Sequence, residues 1–153
     1  MNKLLKYGIL VSLSLIVAAT VAFAFSIPGM SKFEKVKPVN GAVTIPVADV
    51  SDGKAHYFRL SDGGKEIDFF IVKGSDGALH TAFDACDVCY KEKKGYEQQG
   101  DKMICKNCNM KFAVNRIGAT AAGGCNPSYL PARVSATAVS VSVADIKAGS
   151  RFF

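Results

Sequence analysis

Ala55-His56-Tyr57-Phe58-Arg59-Leu60, then Ser61-Asp62-Gly63-Gly64, then Ile67-Asp68-Phe69-Phe70-Ile71-Val72-Lys73 form the stretch that decides the fold class. Two runs of aromatic and β-branched residues flank a turn made of residue types that tolerate positive φ. That combination is the strongest short-range signal for a hairpin. The same grammar continues outward. Residues 42–47 read as an earlier strand, Ser75-Asp76-Gly77 as a second turn, and residues 78–83 as the strand that follows it. Near the end Val139, Val141 and Val143 alternate with Ser140 and Ser142, the period of a strand with one wet face. Helical text is confined to Val143–Ala148 and a turn over residues 47–51. The expected fold is mainly β, a small antiparallel sheet or sandwich. Its middle, residues 84–127, is expected to be irregular and carries all five cysteines.

The chain has 153 residues, 49% of them hydrophobic, which is a one-domain length with material for one modest core. Lys3 and Lys6 precede an uncharged apolar run over residues 8–25, and Ala22-Phe23-Ala24 has the small-x-small form that signal peptidase reads. Eighteen residues also suffice for a marginal membrane helix. The lysines keep the N-terminal end in the cytoplasm. The expected organisation is a signal anchor or signal peptide over residues 1–30, a polar tether over 31–40, and an exported β domain over 41–153. An uncleaved anchor is preferred to cleavage near Ala24. Either way the domain lies on the extracytoplasmic side of the cell membrane.

The formal charge is +6, or +4 once Lys3 and Lys6 are set aside, and it is dispersed among acids. A nucleic-acid partner would need a clustered basic face with aromatic residues beside it, and the sequence has none. It also has no Ser/His/Asp set, no phosphate-binding glycine loop and no paired carboxylates. A redox or metal-binding accessory protein is expected in preference to an enzyme.

Cys86-Asp87-Val88-Cys89 and Cys105-Lys106-Asn107-Cys108 are two Cys-x-x-Cys turns separated by 15 residues. Each two-residue spacer folds both sulfurs toward one point, so the pair presents four thiolates to a metal. The set suits zinc, mononuclear iron or an iron–sulfur cluster. Disulfides are common in exported proteins, but two near-identical Cys-x-x-Cys turns make a poor disulfide framework and a good metal framework. Tyr90 and Asn109 stand where c-type haem attachment needs histidine, which excludes it. A thioredoxin-like pair needs a helix that this text does not offer.

Cys125 lies in Gly123-Gly124-Cys125-Asn126-Pro127. Three readings stay open there: Gly124 and its neighbours place amides beside a sulfur of the centre, Cys125 is itself a ligand, or it is a buried thiol. His80, six residues before Cys86, is a further candidate ligand, although isolated strand histidines such as His80 and His56 are more often structural. Met103 and Met110 flank the second turn and invite copper through soft thioethers, or serve as apolar cover. Tyr90 and Tyr96 are expected to pack around the loops.

The stretch from Asp84 to Pro127 resembles the FtrD-like membrane iron–sulfur domain family. The resemblance rests on Asp84 to Tyr90, Lys94-Gly95-Tyr96, Met103 to Cys108, Phe112, Ile117-Gly118 and Gly123 to Pro127. With the upstream hairpins it covers nearly the whole exported part. It implies an iron–sulfur or metal protein at the membrane, associated in some relatives with iron-uptake permeases. A looser similarity joins the chain to Rieske domains, in which hairpins precede one ligand loop and a second follows. There each loop pairs a cysteine with a histidine, whereas here all four positions are cysteine, which lowers the potential of a cluster.

The leader has no arginine pair of the kind that exports folded, cofactor-loaded proteins. A chain threaded unfolded acquires its metal outside, which favours zinc, mononuclear iron or copper. Three functions follow: electron transfer or iron handling beside a membrane iron transporter, a structural zinc module in a membrane assembly, and a copper or iron metallochaperone. In the first, basic residues near the loops would guide an acidic redox partner.

Overall fold

The computed structural model describes residues 31–121 and 123–153. The expected anchor over residues 1–30 lies outside them. Among the described residues no helix is long and apolar enough to cross a membrane.

Residues Phe33–Phe153 form one compact unit. Its strands are β1 (Phe33–Val36), β2 (Ala42–Pro46), β3 (His56–Asp62), β4 (Lys65–Lys73), β5 (Leu79–Phe83), β6 (Tyr96–Gln99), β7 (Lys102–Cys105), β8 (Lys111–Ala113), β9 (Arg133–Val134) and β10 (Ala138–Ser142). One short helix, α1, spans Val143–Ala148, and a 3-10 turn spans Val47–Val50. The sheets are small: β1-β3-β4-β5, β2-β10-β9 and β6-β7-β8.

The hairpin of β3 and β4 turns on two residues, Gly63 and Gly64, at φ +55° and +86°, with Asp62 paired to Lys65. Both central residues need positive φ in the tight turn whose twist matches the strands, which is why glycine occupies them. From Ile67 to Val72, β4 is buried without interruption. Alternation sends Ile67, Phe69 and Ile71 into one core with Val43, Ile45, Val139 and Val141. Phe70 and Val72 go to a second core with Cys86, Tyr96, Met103 and Cys105. The central sheet therefore has a hydrophobic layer on each face, and the second layer is the one that carries the cysteines. Asp68 interrupts the apolar run of β4. Its carboxylate accepts two hydrogen bonds from Arg59, at 2.6 and 2.7 Å, the fork that makes a buried charge tolerable.

Two features depart from the expectation. Phe33–Val36, inside the segment read as a tether, is a strand that pairs parallel with β3. The sheet is therefore not purely antiparallel. Phe33 packs edge-on against Tyr57 at 6.0 Å and lies under the Arg59 guanidinium at 4.3 Å. Only Phe33 and Val36 supply apolar surface in that strand, too little to show a period in the sequence. The segment 84–127, expected to be irregular, contains the whole β6-β7-β8 sheet. The turn between β6 and β7 is Gly100-Asp101, with Gly100 at φ +59° and Gln99 paired to Lys102. Gly-Asp is a hairpin signal. It is masked here because Glu97, Gln98 and Gln99 give β6 no apolar alternation.

The helix α1 begins at Ser142, whose hydroxyl accepts from the Asp145 amide at 3.0 Å, an N-cap that satisfies one orphan donor.

Candidate metal centre

Three segments carry the five cysteines, and each is pinned to the central sheet or to its neighbour. The first leaves β5. The Asp84 amide donates to the Asp68 carbonyl at 2.9 Å, so pairing with β4 continues one residue past β5 and delivers Cys86, 1% exposed, onto the second core. The chain then turns, and the Cys89 amide donates to Cys86 Sγ at 3.2 Å. Such amide-to-sulfur bonds stabilise a thiolate.

The second segment is the loop between β7 and β8. Cys105 ends β7 opposite Tyr96. The loop closes through the Asn109 amide to the Cys105 carbonyl at 2.9 Å and the Cys105 amide to the Met110 carbonyl at 3.0 Å. Asn109 takes φ +60°, a conformation asparagine accepts more readily than most residues.

The third segment is held along the free side of β5. The Phe83 amide donates to the Ser128 carbonyl at 2.8 Å, and the Ser128 amide to the Ala85 carbonyl at 2.9 Å. The Thr81 hydroxyl donates to the Leu130 carbonyl at 2.6 Å. This pairing sets Cys125 beside the loop that begins at Cys86.

Asp84 and Tyr96 tie the segments together. The buried Asp84 carboxylate accepts from the Tyr96 amide at 2.7 Å. It also fills the space a Cβ on Gly95 would occupy, and Gly95 stands at φ +65°. The Gly95 carbonyl accepts from the Lys106 amide at 2.9 Å. Tyr96, 1% exposed, donates its hydroxyl to the Cys125 carbonyl at 2.6 Å. Residues 95 and 96, through backbone and the Tyr96 hydroxyl, therefore contact all three cysteine segments.

The sulfurs form two overlapping groups. Cys86, Cys89 and Cys125 lie within 4.8 Å of one another, as do Cys89, Cys105 and Cys108. Cys89 belongs to both. Cys89 and Cys125 are 3.9 Å apart. Burial is graded, from Cys86 and Cys105 inside, through Cys89 and Cys125, to Cys108 at the surface.

The electrostatics follow this crowding. Asn107 hydrogen-bonds the Cys89 thiol and pulls its pKa down, but burial and the neighbouring Cys125 and Cys105 thiols outweigh that and push it up to about 12. Cys125 is raised by burial and by the Cys108 thiol. Cys108 is lowered, first by the Met110 backbone amide. The Tyr96 hydroxyl stays protonated, raised well above its ordinary value by burial and then by a hydrogen bond with Cys86. Crowded thiols repel one another as thiolates, and a cation among them relieves that repulsion.

Cys86, Cys89, Cys105 and Cys108 thus come together, and Cys125 comes with them. Gly124 adopts φ +64° in the turn before Cys125 and is exposed. His80 is engaged elsewhere. Its Nδ1 lies 2.8 Å from the Ile117 carbonyl and its Nε2 3.1 Å from Asp76 Oδ2. His56 pairs with Asp52 at 2.7 Å. Met103 is fully buried, whereas Met110 is 52% exposed. Asn107 went unweighed in the sequence. Its place in the second Cys-x-x-Cys spacer was the available signal.

The donor set fits an iron–sulfur centre: five soft thiols and a backbone amide aimed at a sulfur. Ser128 Oγ is also buried without a hydrogen-bond partner among the described residues, three positions after Cys125.

Comparison with known proteins gives one family. The family model described as "Membrane iron-sulfur containing protein FtrD-like" matches residues 50–153, which includes every cysteine. No protein of curated function matches the chain.

Proposed function

The chain belongs to the FtrD-like family of membrane iron–sulfur proteins, and on that premise we propose that it is an exported, membrane-tethered electron carrier serving a membrane iron transporter. The apolar run over residues 8–25 would be its anchor and the β domain its extracytoplasmic part. Cys86, Cys89, Cys105 and Cys108 would hold the centre, with Cys125 as a fifth thiol in contact with it. When bound, an iron–sulfur cluster supplies reversible one-electron chemistry.

The observation that carries this reading is the pair of sulfur triads sharing Cys89. A single tetrahedral ion with metal–sulfur bonds of about 2.3 Å sets its sulfurs roughly 3.8 Å apart, all mutually adjacent. Among the described residues no four cysteine sulfurs lie mutually within 4.8 Å. Five converging thiols are one more than the four that a closed structural zinc takes, and together with the family match they support an iron–sulfur centre over a structural zinc. The chain's own part is to hold the thiols on three segments locked by Asp84 and Tyr96, with Cys86 and Cys105 buried, Cys89 and Cys125 half-buried and Cys108 at the surface.

Iron and acid-labile sulfide, measured on protein exported through its own leader and purified without air, test the reading. Iron with matching sulfide and a visible charge-transfer absorption is expected. Cys89→Ser, which removes the shared sulfur, should abolish it, and Cys105→Ser should do the same. Colourless protein holding zinc overturns the electron-transfer reading in favour of a structural module.

A further inference from the structure

Cys108 is the exposed end of the cysteine cluster, and its surroundings have a composition the centre itself does not require. Val88, inside the first Cys-x-x-Cys spacer, is 62% exposed, and Met110, two residues after Cys108, is 52% exposed. They are two of the four large apolar side chains exposed among the described residues. Each could be polar without disturbing a core, so burial in this chain does not explain them. The same two loops carry Lys91, Lys93, Lys94 and Lys106, and Lys111 follows Met110 at the start of β8, all exposed. Lys94 Nζ donates to Asn107 Oδ1 at 3.1 Å, which joins the two loops into one surface. The acids there do not balance them. Asp87 is paired with Arg151 at 2.9 Å, which leaves Glu92 as the acid of the first loop.

From this arrangement we infer that the Cys108 face is a docking site for an acidic redox protein, with Val88 and Met110 as its dry centre and the lysines as its rim. The inference rests on the electron-carrier reading. An apolar spot at an exposed ligand lets a partner approach closely, and a ring of one charge raises the encounter rate by about 10- to 1,000-fold at low salt. Two apolar side chains on tight loops give too little depth for membrane insertion, which uses a broad apolar face. A protein partner is therefore the occupant. The exchange moves one electron from the reduced centre to the partner's oxidised centre, with no bond made and no proton moved.

Cytochrome b5, a small acidic haem protein, serves as the probe, with basic cytochrome c as its counterpart. Carbodiimide cross-linking of the intact, metal-loaded protein reads docking without relying on electron flow. Products with cytochrome b5 that map to Lys91, Lys106 and Lys111 and are lost at high salt are expected. In stopped-flow, reduction of cytochrome b5 should slow at least 10-fold from low to high salt, while cytochrome c shows the opposite slope. Lys91→Glu/Lys106→Glu/Lys111→Glu should remove most of the cytochrome b5 slope and leave iron, sulfide and the visible spectrum unchanged. Val88→Asp/Met110→Asp should lower the rate at every salt concentration.

Cross-links that map elsewhere, or a rate indifferent to salt in the unsubstituted protein, overturn the inference. So does binding of this face to anionic phosphatidylglycerol vesicles in place of cytochrome b5. If cross-linking succeeds and no electron moves, the docking surface stands and the electron-carrier reading falls. The two failures are thus told apart.

Discussion

Replacing Tyr96 by Phe removes one oxygen from a side chain that is 1% exposed, so ring packing against Phe70 and Phe112, at 6.4 and 6.3 Å, is retained. What is lost is the 2.6 Å hydrogen bond to the Cys125 carbonyl and the contact with the Cys86 thiol. Among the described residues the other hydrogen bonds of the Cys125 turn are long. The Asn126 amide and side chain both reach the Gly123 carbonyl only at 3.4 Å, and firm pairing resumes at Ser128. Removing a buried donor and leaving its acceptor unpaired costs about 1–2 kcal/mol. Because the turn can open without the rest of the domain, that cost falls on local opening. A loss of about 1–2 kcal/mol multiplies the open population roughly 5- to 30-fold. The assay is iodoacetamide labelling of metal-free, reduced protein, with the rate at Cys125 read by peptide mass spectrometry and Cys105 as an internal control. Tyr96→Phe should raise the Cys125 rate by that factor and leave Cys105 within about twofold. Equal acceleration at both residues would mean global unfolding. No acceleration at either would refute the claim that this hydroxyl holds the third segment in place.

Two other outcomes follow from the same geometry. Gly95→Ala puts a Cβ where the Asp84 carboxylate sits and forces alanine to φ +65°. The backbone alone costs about 1–2 kcal/mol, so urea unfolding of the metal-free protein should show at least that loss, and metal retention should weaken with it. In metal-free protein Cys108 has the lowered pKa and Cys89 the raised one, about 12. A lower pKa means more thiolate at a given pH, and the thiolate is the nucleophile. As pH rises from 6 to 9, Cys108 should therefore be alkylated first and Cys89 should stay largely unreacted; Cys89 reacting before Cys108 would contradict the arrangement of the thiols.

Much of the central sheet was legible because its signals are local. The Gly63-Gly64 pair marks the β3–β4 turn and the β-branched and aromatic runs beside it mark the strands, whereas the burial of β4 on both faces is set by the two cores it separates. The short helix was equally plain, since Ser142 and Asp145 form its cap within four residues. The small sheet under the cysteines was hidden because β6 is polar in text and takes its place by pairing. Likewise β1 is a strand because β3 offers it an edge and Tyr57 and Arg59 a surface, neither of which its own residues announce.

For the site, the two Cys-x-x-Cys spacings alone established a pair of thiol knuckles, because a two-residue spacer constrains where both sulfurs point. The sequence left the standing of Cys125 open, for it lies 17 positions from Cys108 with no spacing rule to connect them. Only the tertiary structure decided that it meets the others. It does so through main-chain bonds between Phe83, Ala85 and Ser128 and the Tyr96 hydroxyl. The union of the triads at Cys89, and the exposure of Cys108 alone, are likewise products of packing. A sequence specifies which donors exist and how near neighbours turn. The distances among donors from three separate segments are set by the sheet on which those segments are pinned.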